Sequence, residues 1–335
     1  MSEQQFTSIG GQAVIEGVMM RSPHFVAVAV RKPNQKIVIR NAPYASIVQK
    51  LPLLKKPMLR GVVTLVESLY QGIEALSFSA GIASEDETLQ GEELSSWAIA
   101  GSIGTAFVLG MGLFVALPHF LTAMMLQAKS PLFHLTDGLL KMGILLSYVY
   151  LIALMKDIHR VFQYHGAEHK SIYAFEAGEE LTVENARKHT TLHPRCGTSF
   201  LLFLVLISIA VFSIVFPVFG LTEFSQVAWK NHLAMVFVKI GLMLPVAGLS
   251  YEFIKMCASR MDHPFFRALI WPGMVLQNLT TREPTDDQLE VALASLRQVL
   301  RLEKGLPLED QVEIAHLSEL GRVQANVAEF LEDVR

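Results

Sequence analysis

Four long apolar stretches constrain this chain more than any other feature of its sequence. They cover residues 98–117, 138–155, 199–221 and 232–251. The charged side chains inside them are Lys141 and Lys239 alone. About 20 apolar residues in helical form span the hydrocarbon core of a bilayer, so the pattern predicts four transmembrane helices. We therefore expect a mainly α fold, a polytopic membrane helix bundle.

The distribution of basic residues predicts how these helices are oriented. Segment 156–198 carries six lysines and arginines, whereas segments 118–137 and 222–231 carry one each. Loops rich in lysine and arginine stay on the cytoplasmic side of a membrane. We therefore expect segment 156–198 to be cytoplasmic and, with four spans, both termini as well.

The N-terminal region is more polar and predicts two further elements. Residues 1–56 form an expected small cytoplasmic domain, in which two β-type runs, 24–30 and 36–40, have the spacing of a β-hairpin. Residues 57–83 predict an amphipathic helix at the membrane interface or packed against the bundle. Its narrow polar stripe consists of Arg60, Thr64, Glu67, Gln71 and Glu74.

The C-terminal region, residues 252–335, predicts cytoplasmic helices. Thr285 and Gln288 have the spacing of a capping box, and leucines follow at helical intervals. A second helix is expected after Gly305.

Charge and cysteine content narrow the functional classes. The formal net charge is −3, which gives no electrostatic support for a nucleic-acid partner, and we expect none. The cysteines are Cys196 and Cys257, both on the predicted cytoplasmic side. Thiols there stay reduced, so no disulfide is expected.

The segment HGAEH at 165–169 indicates metal binding. On a helix, His165 and His169 share one face, and Glu168 lies between them on the same side. This is the H-x-x-E-H pattern, in which two histidines hold zinc and the glutamate is a general base. The alternative is that both histidines only bond to backbone or lipid phosphate groups.

A second segment, HTTLHPRC at 189–196, strengthens this interpretation. His189, His193 and Cys196 add imidazole and thiolate donors that suit zinc. The alternative is a buried cysteine at a helix entry beside two loop histidines. We predict a divalent-metal site, with zinc the expected ion, drawn from these residues and the two histidines of HGAEH.

Three other charged residues stand in apolar surroundings. Glu16 and Glu252 are carboxylates near the predicted cytoplasmic face, and each either pairs with a base or serves a site. For Glu252, the alternative of an interfacial residue beside Lys255 is equally compatible with the sequence. Lys239 lies inside the fourth span, where we interpret it as snorkelling to the outer headgroups.

Several blocks of the sequence resemble one known family. GGQAVIEGVMMRSP, FQYHGAEHKSIYAFE, HPRCGTSFL, GLSYE and LTTREPTDDQLEVA are similar to segments of the YqhQ family, in the same order. Its members are bacterial membrane proteins described as predicted metal-dependent enzymes. The resemblance implies a multispanning protein of the bacterial inner membrane. It also implies a metal role for five residues, which are His165, His169, His189, His193 and Cys196.

Two functions remain open at this stage. The first is a membrane enzyme with zinc at its cytoplasmic face that hydrolyses an amide, ester or phosphoester in a lipid or membrane protein, with Glu168 as the base. The second is a scaffold or assembly factor with a structural metal, for which membrane lipids, membrane proteins or a second copy of the chain are the expected partners. Four protein ligands would favour the second, and three with an open position the first. Transport has less support, since no ion path is evident in the sequence.

Reporter fusions test the predicted topology. Fusions within 156–198 and at each terminus should report the cytoplasm, and fusions within 118–137 and 222–231 the outside, because of the lysine and arginine asymmetry. An external signal from segment 156–198 would contradict this orientation.

Overall fold

The computed structural model describes residues 9–84, 96–324, 327, 329 and 330. Within them the chain is mainly α-helical and carries a five-stranded antiparallel sheet. The strands are β1 (Gly10–Val14), β2 (Gly17–Arg21), β3 (Phe25–Arg31), β4 (Ile37–Pro43) and β5 (Gln311–Ile314). The helices are α1 (Ile47–Lys50), α2 (Leu59–Ala83), α3 (Ser96–Met111), α4 (Leu117–Met125), α5 (Phe133–Ala153), α6 (Lys156–Glu176), α7 (Val183–Arg187), α8 (Gly197–Val218), α9 (Ala228–Ala258), α10 (Pro264–Thr280) and α11 (Asp286–Glu303).

Four helical segments are long and apolar enough to cross a membrane. They are Gly104–Met125, Phe133–Ala153, Gly197–Val218 and Ala228–Ala258. The first contains the second half of α3, a π-helical turn and α4, and the others are α5, α8 and α9. β3 and β4 form the expected N-terminal hairpin. The predicted fold class, a mainly α membrane bundle with an N-terminal hairpin, is confirmed.

The first two spans are longer than their apolar stretches, because segment 118–137 is mostly helical. Its beginning extends the first span, its end starts the second, and residues 126–132 connect them. Pro118 stands in the first turn of α4, where a proline is tolerated. His119 and Asp137 interrupt the apolar pattern, yet both are buried inside the bundle. Polar residues that face other helices do not end a membrane helix.

Both faces of the sheet are covered, and the composition of its strands reflects this. β3 reads FVAVAVR, and six of its seven residues are buried. Ala27 and Ala29 belong to the core shared with α6 and α11, whereas Val28 and Val30 belong to the core shared with α2. A continuous apolar run is typical of a strand that is buried on both faces.

The C-terminal region completes this sheet. α11 packs on β2 and β3, and β5 then pairs antiparallel with β4, so that Ile314 lies opposite Ile37. The structure therefore has a strand in the region after Gly305 where a second C-terminal helix was expected. The end of that expected helix, residues 331–335, lies outside the described residues. Val312 and Ile314 alternate with polar residues, a pattern that suits a strand once a partner edge is available. We call β1–β5 with α6, α7 and α11 the head domain.

The polar stripe of α2 is directed towards protein rather than headgroups. The Tyr44 hydroxyl donates a hydrogen bond to Glu67 at 3.0 Å. Arg60 binds the Glu252 carboxylate on α9, with Nε 2.6 Å from Oε1. α2 thereby connects the sheet to the membrane bundle.

Leu293→Ala tests whether α11 is the central core element of the head domain. Leu293 is fully buried in the main core cluster, so its loss should cost about 2–5 kcal/mol in the free energy of unfolding. Leu306 is 41% exposed, and Leu306→Ala should change stability by less than about 0.5 kcal/mol. Thermal unfolding of both detergent-solubilised variants measures the difference. Equal melting temperatures would contradict this packing.

Candidate metal centre

Three elements of the head domain and bundle meet where the predicted metal residues lie. α6 follows directly on the second candidate span, with Met155 in extended conformation between the two helices. The segment after α7 returns to the same place and ends at Cys196, the N-cap of the third candidate span. The end of α10 lies beside both, because the Arg282 amide donates to the Phe162 carbonyl at 2.9 Å.

The two imidazoles of α6 are oriented by backbone carbonyls. His165 Nδ1 lies 2.8 Å from the Thr280 oxygen, and His169 Nδ1 is hydrogen-bonded to the Thr191 oxygen. A carbonyl oxygen only accepts, so each Nδ1 carries the proton and each Nε2 keeps a free lone pair. This is the tautomer that a metal-ligating histidine needs, fixed by the partner that such histidines commonly have.

Cys196 supplies the third donor in a setting that favours its thiolate. Burial alone would raise the pKa of this thiol. The neighbouring His169 and hydrogen bonds from the Thr198 hydroxyl and amide outweigh burial, and the pKa lies below its ordinary value. The sulfur also caps the N-terminus of α8, where the helix dipole stabilises a negative charge.

The donor atoms are close enough to share one ion. Nitrogen and sulfur ligands of His165, His169 and Cys196 all lie within 4.8 Å of one another. His165 Nε2 lies 3.2 Å from Cys196 Sγ. A tetrahedral zinc site with bonds near 2.1 and 2.3 Å separates nitrogen from sulfur by about 3.6 Å. The set of two imidazoles and one thiolate therefore fits zinc in both spacing and chemistry.

Glu168 is buried beside these donors but is not one of the three. It is 6% exposed, and burial raises the pKa of its carboxyl to about 7. The side chain lies against β1, where a Cβ added to Gly11 would lie 2.8 Å from Oε1. Only a glycine at this position leaves room for the carboxylate, which links the N-terminal block GGQAVIEG to the candidate metal centre.

His193 is placed next to the group, and its backbone is held by α10. Its ring centroid is 5.5 Å from that of His169, and its Nε2 is 3.5 Å from Glu176 Oε2. Gln277 accepts a hydrogen bond from the His193 amide and donates one to the His193 carbonyl, both at 2.7 Å. Burial lowers the pKa of His193 to about 4, so the ring is neutral.

His189 is not brought to the three donors. Its Nε2 lies 3.0 Å from Glu179 Oε2, and its ring stacks on Tyr173 with centroids 6.0 Å apart. The contacts with Glu179 and Tyr173 hold the His189 ring away from the three donors. The i, i+4 spacing of His189 and His193 does not place the two rings on one face, because residues 189–193 are not helical.

The remaining charged candidates each have a partner. Glu16 sits at the β1–β2 turn and binds Arg160 of α6, with Arg160 Nη2 2.6 Å from its Oε2. Glu252 binds Arg60. The snorkelling interpretation of Lys239 is wrong: its side chain is fully buried, and Nζ lies 2.8 Å from Asp137 Oδ2.

Sequence reasoning missed the groups that orient the donors. Backbone carbonyls such as those of Thr191 and Thr280 carry no signal in residue type. Thr280 and Gly11 do, however, lie inside two of the sequence blocks that resemble the YqhQ family. Because Thr280 and Gly11 contact the candidate centre, these two sequence blocks are explained by the structure around it.

The fold and the candidate centre define a class: a membrane-spanning helical protein whose head domain presents a histidine–cysteine cluster at one end of its spans. The chain belongs to the family described as protein of unknown function (DUF1385), whose model matches residues 56–302. It is 36% identical over 315 residues to "Uncharacterized protein YqhQ" of Bacillus subtilis (strain 168), covering 88% of this chain and 92% of that protein. No solved structure matches. The resemblance to the YqhQ family is confirmed.

Metal analysis of purified variants tests the donor set. His165→Ala, His169→Ala and Cys196→Ala should each lose most of the bound zinc, because each removes one of three converging ligands. His189→Ala is the matched control and should retain the wild-type stoichiometry, since its ring binds Glu179 instead. Loss of zinc in the control equal to that in His165→Ala would contradict this donor set.

Proposed function

We propose that this protein is a membrane-embedded zinc-dependent hydrolase that acts on a lipid or a membrane protein at the cytoplasmic face. The observation that carries the proposal is the arrangement of three donors, His165, His169 and Cys196, beside a buried carboxylate that is not one of them. Three protein ligands are typical of catalytic zinc sites, which keep one position open.

Glu168 has the properties of a general base. Its pKa of about 7 lies near working pH, where a group can both accept and release a proton. When bound, zinc supplies a water of lowered pKa and polarises the oxygen of the group to be cleaved. Glu168 accepts the proton of the attacking water and returns it to the leaving group, so the proton balance of hydrolysis closes.

The position of the centre supports a membrane substrate. α8, a candidate span, begins immediately after Cys196, so the three donors lie beside the beginning of that span. His165 is half-buried, whereas the other two donors are buried. Substrate therefore approaches the centre from the side of His165. The basic segment 156–198 supports a cytoplasmic location.

A second candidate function rests on His193. Its buried ring lies near that of His169, and a change of rotamer that gave up its contact with Glu176 would add a fourth protein ligand. A closed site of that kind would hold the segment before α8 to α6 and to Gln277. The protein would then be a scaffold or assembly factor for membrane proteins, with zinc in a structural role.

Glu168→Gln separates the two functions. The amide keeps the shape of the side chain but cannot accept a proton, so the variant should bind zinc and fold like wild type. In a strain that lacks the protein, we expect it to fail, as His165→Ala does, to restore the wild-type membrane lipid and membrane protein profiles.

The readout is quantitative lipid and membrane-protein mass spectrometry of strains expressing each variant at equal levels, with His189→Ala as the positive control. Full restoration by Glu168→Gln, together with failure of His165→Ala, would contradict the hydrolase and support the scaffold.

A further inference from the structure

The membrane bundle contains a second group of titratable side chains, far from the candidate metal centre in the direction of the opposite membrane face. α4 contributes His119, α5 contributes His134, Asp137 and Lys141, and α9 contributes His232 and Lys239. All except the half-buried His232 are at most 4% exposed. Burying this many polar groups between membrane helices is expensive and marks functional sites.

Four of these side chains form a continuous line of hydrogen bonds. His232 Nδ1 lies 3.1 Å from His119 Nε2, and His119 Nδ1 lies 3.0 Å from Lys239 Nζ. The line ends at Asp137, whose Oδ2 is 2.8 Å from Lys239 Nζ. Each atom on the line belongs to a group that can hold or release a proton.

The line reaches only one side of the bundle. His232 stands near the start of α9, at the end of the span opposite to Glu252 and the candidate metal centre. Beyond Lys141 in the direction of that centre, Leu145, Val149 and Val205 pack together in an apolar cluster. Aliphatic side chains neither donate nor accept protons, so the cluster separates the line from the head domain.

α8, which packs against α5 and α9, carries no titratable residue and contributes Phe212 and Phe216 to this part of the bundle. Lys141 Nζ lies 3.9 Å from Asp137 Oδ2. Among the described residues, Asp137 Oδ1, Lys141 Nζ and both ring nitrogens of His134 have no hydrogen-bond partner in the protein.

These properties argue against a purely structural ion pair. Apolar residues of the same volume would hold the helices together without the desolvation cost of the charges. A structural pair would also satisfy its remaining polar atoms, whereas Asp137 keeps one oxygen unpaired although it is 1% exposed. A chain of histidines leading from the membrane surface to such a carboxylate is typical of proton relays.

We propose that the bundle contains a proton-exchange site, Asp137 with Lys239, that is reached through His232 and His119 from the membrane face opposite the candidate metal centre. Lys239 first passes one ammonium proton to Asp137 Oδ2 and is left as a neutral amine with a lone pair. His119, in its Nδ1–H form, then passes that Nδ1 proton to Lys239 and takes the Nδ1 proton of His232 at its own Nε2. His232 takes one proton from the membrane face at Nε2 and is neutral again. The net change is one proton added to Asp137, which cancels its charge and breaks the Asp137–Lys239 ion pair.

Infrared difference spectroscopy of the full-length protein in lipid nanodiscs tests this site. The measurement uses the Glu168→Gln background, because Glu168 is the other buried carboxylate among the described residues. In that background, lowering the pH should produce the carbonyl stretch of a buried protonated carboxylic acid, and Asp137→Asn should abolish that band. The double variant Asp137→Asn/Lys239→Gln removes both charges together, so it replaces the single variant if that one does not fold. An absent band in that background, or a band that persists without Asp137, would overturn the proposal.

A pH jump followed in time tests the path. His232→Ala should leave the final band in place but slow its appearance by on the order of 100-fold, the typical contribution of a positioned proton donor. His159→Ala, an exposed histidine on α6, is the matched control and should match wild type. Unchanged kinetics in His232→Ala would overturn the role of His232 as the entry. None of these measurements depends on zinc, so they succeed or fail independently of the hydrolase.

Discussion

Hydrogen bonds from two α6 imidazoles to backbone carbonyls hold the candidate metal centre in place. Thr280 ends α10 and Thr191 lies in the segment before α8, so these bonds join α6 to both elements that flank it. Each contributes only about 0.5–1.5 kcal/mol to stability, but together they choose the tautomer and aim both Nε2 atoms at Cys196. β1 and α11 cover α6, and the resulting burial raises the pKa of Glu168.

The structure contains two groups of polar side chains, one inside the membrane bundle and one at the candidate metal centre. The two groups lie towards opposite ends of the bundle helices. α5 carries Asp137 near its beginning and is followed by α6, which carries two of the candidate metal ligands. The apolar cluster around Leu145 lies between them. Because Met155 is extended between the two helices, a proton-linked change in the packing of Asp137 would have to cross this junction to reach the head domain.

The sequence was sufficient to predict the elements whose signal is local. Apolar stretches predicted the four spans. The two histidine motifs supplied five candidate ligands, and three of them, His165, His169 and Cys196, converge in the structure. The sequence was not sufficient where an element depends on a partner far away in the chain. β5 pairs with a strand more than 250 residues earlier. His119 and Asp137 lie outside the apolar stretches, yet both are buried inside the spans. His189 has the same residue type and spacing as a ligand, and only its contact with Glu179 separates it from the others.

X-ray absorption spectroscopy at the zinc edge of the zinc-loaded protein tests the central claim most directly. The account predicts one sulfur near 2.3 Å, from Cys196, with two imidazole nitrogens near 2.0–2.1 Å and one further light atom. The zinc that Cys196→Ala still retains should show no sulfur contribution. A zinc shell that contains no sulfur in the wild-type protein would contradict the three-donor centre.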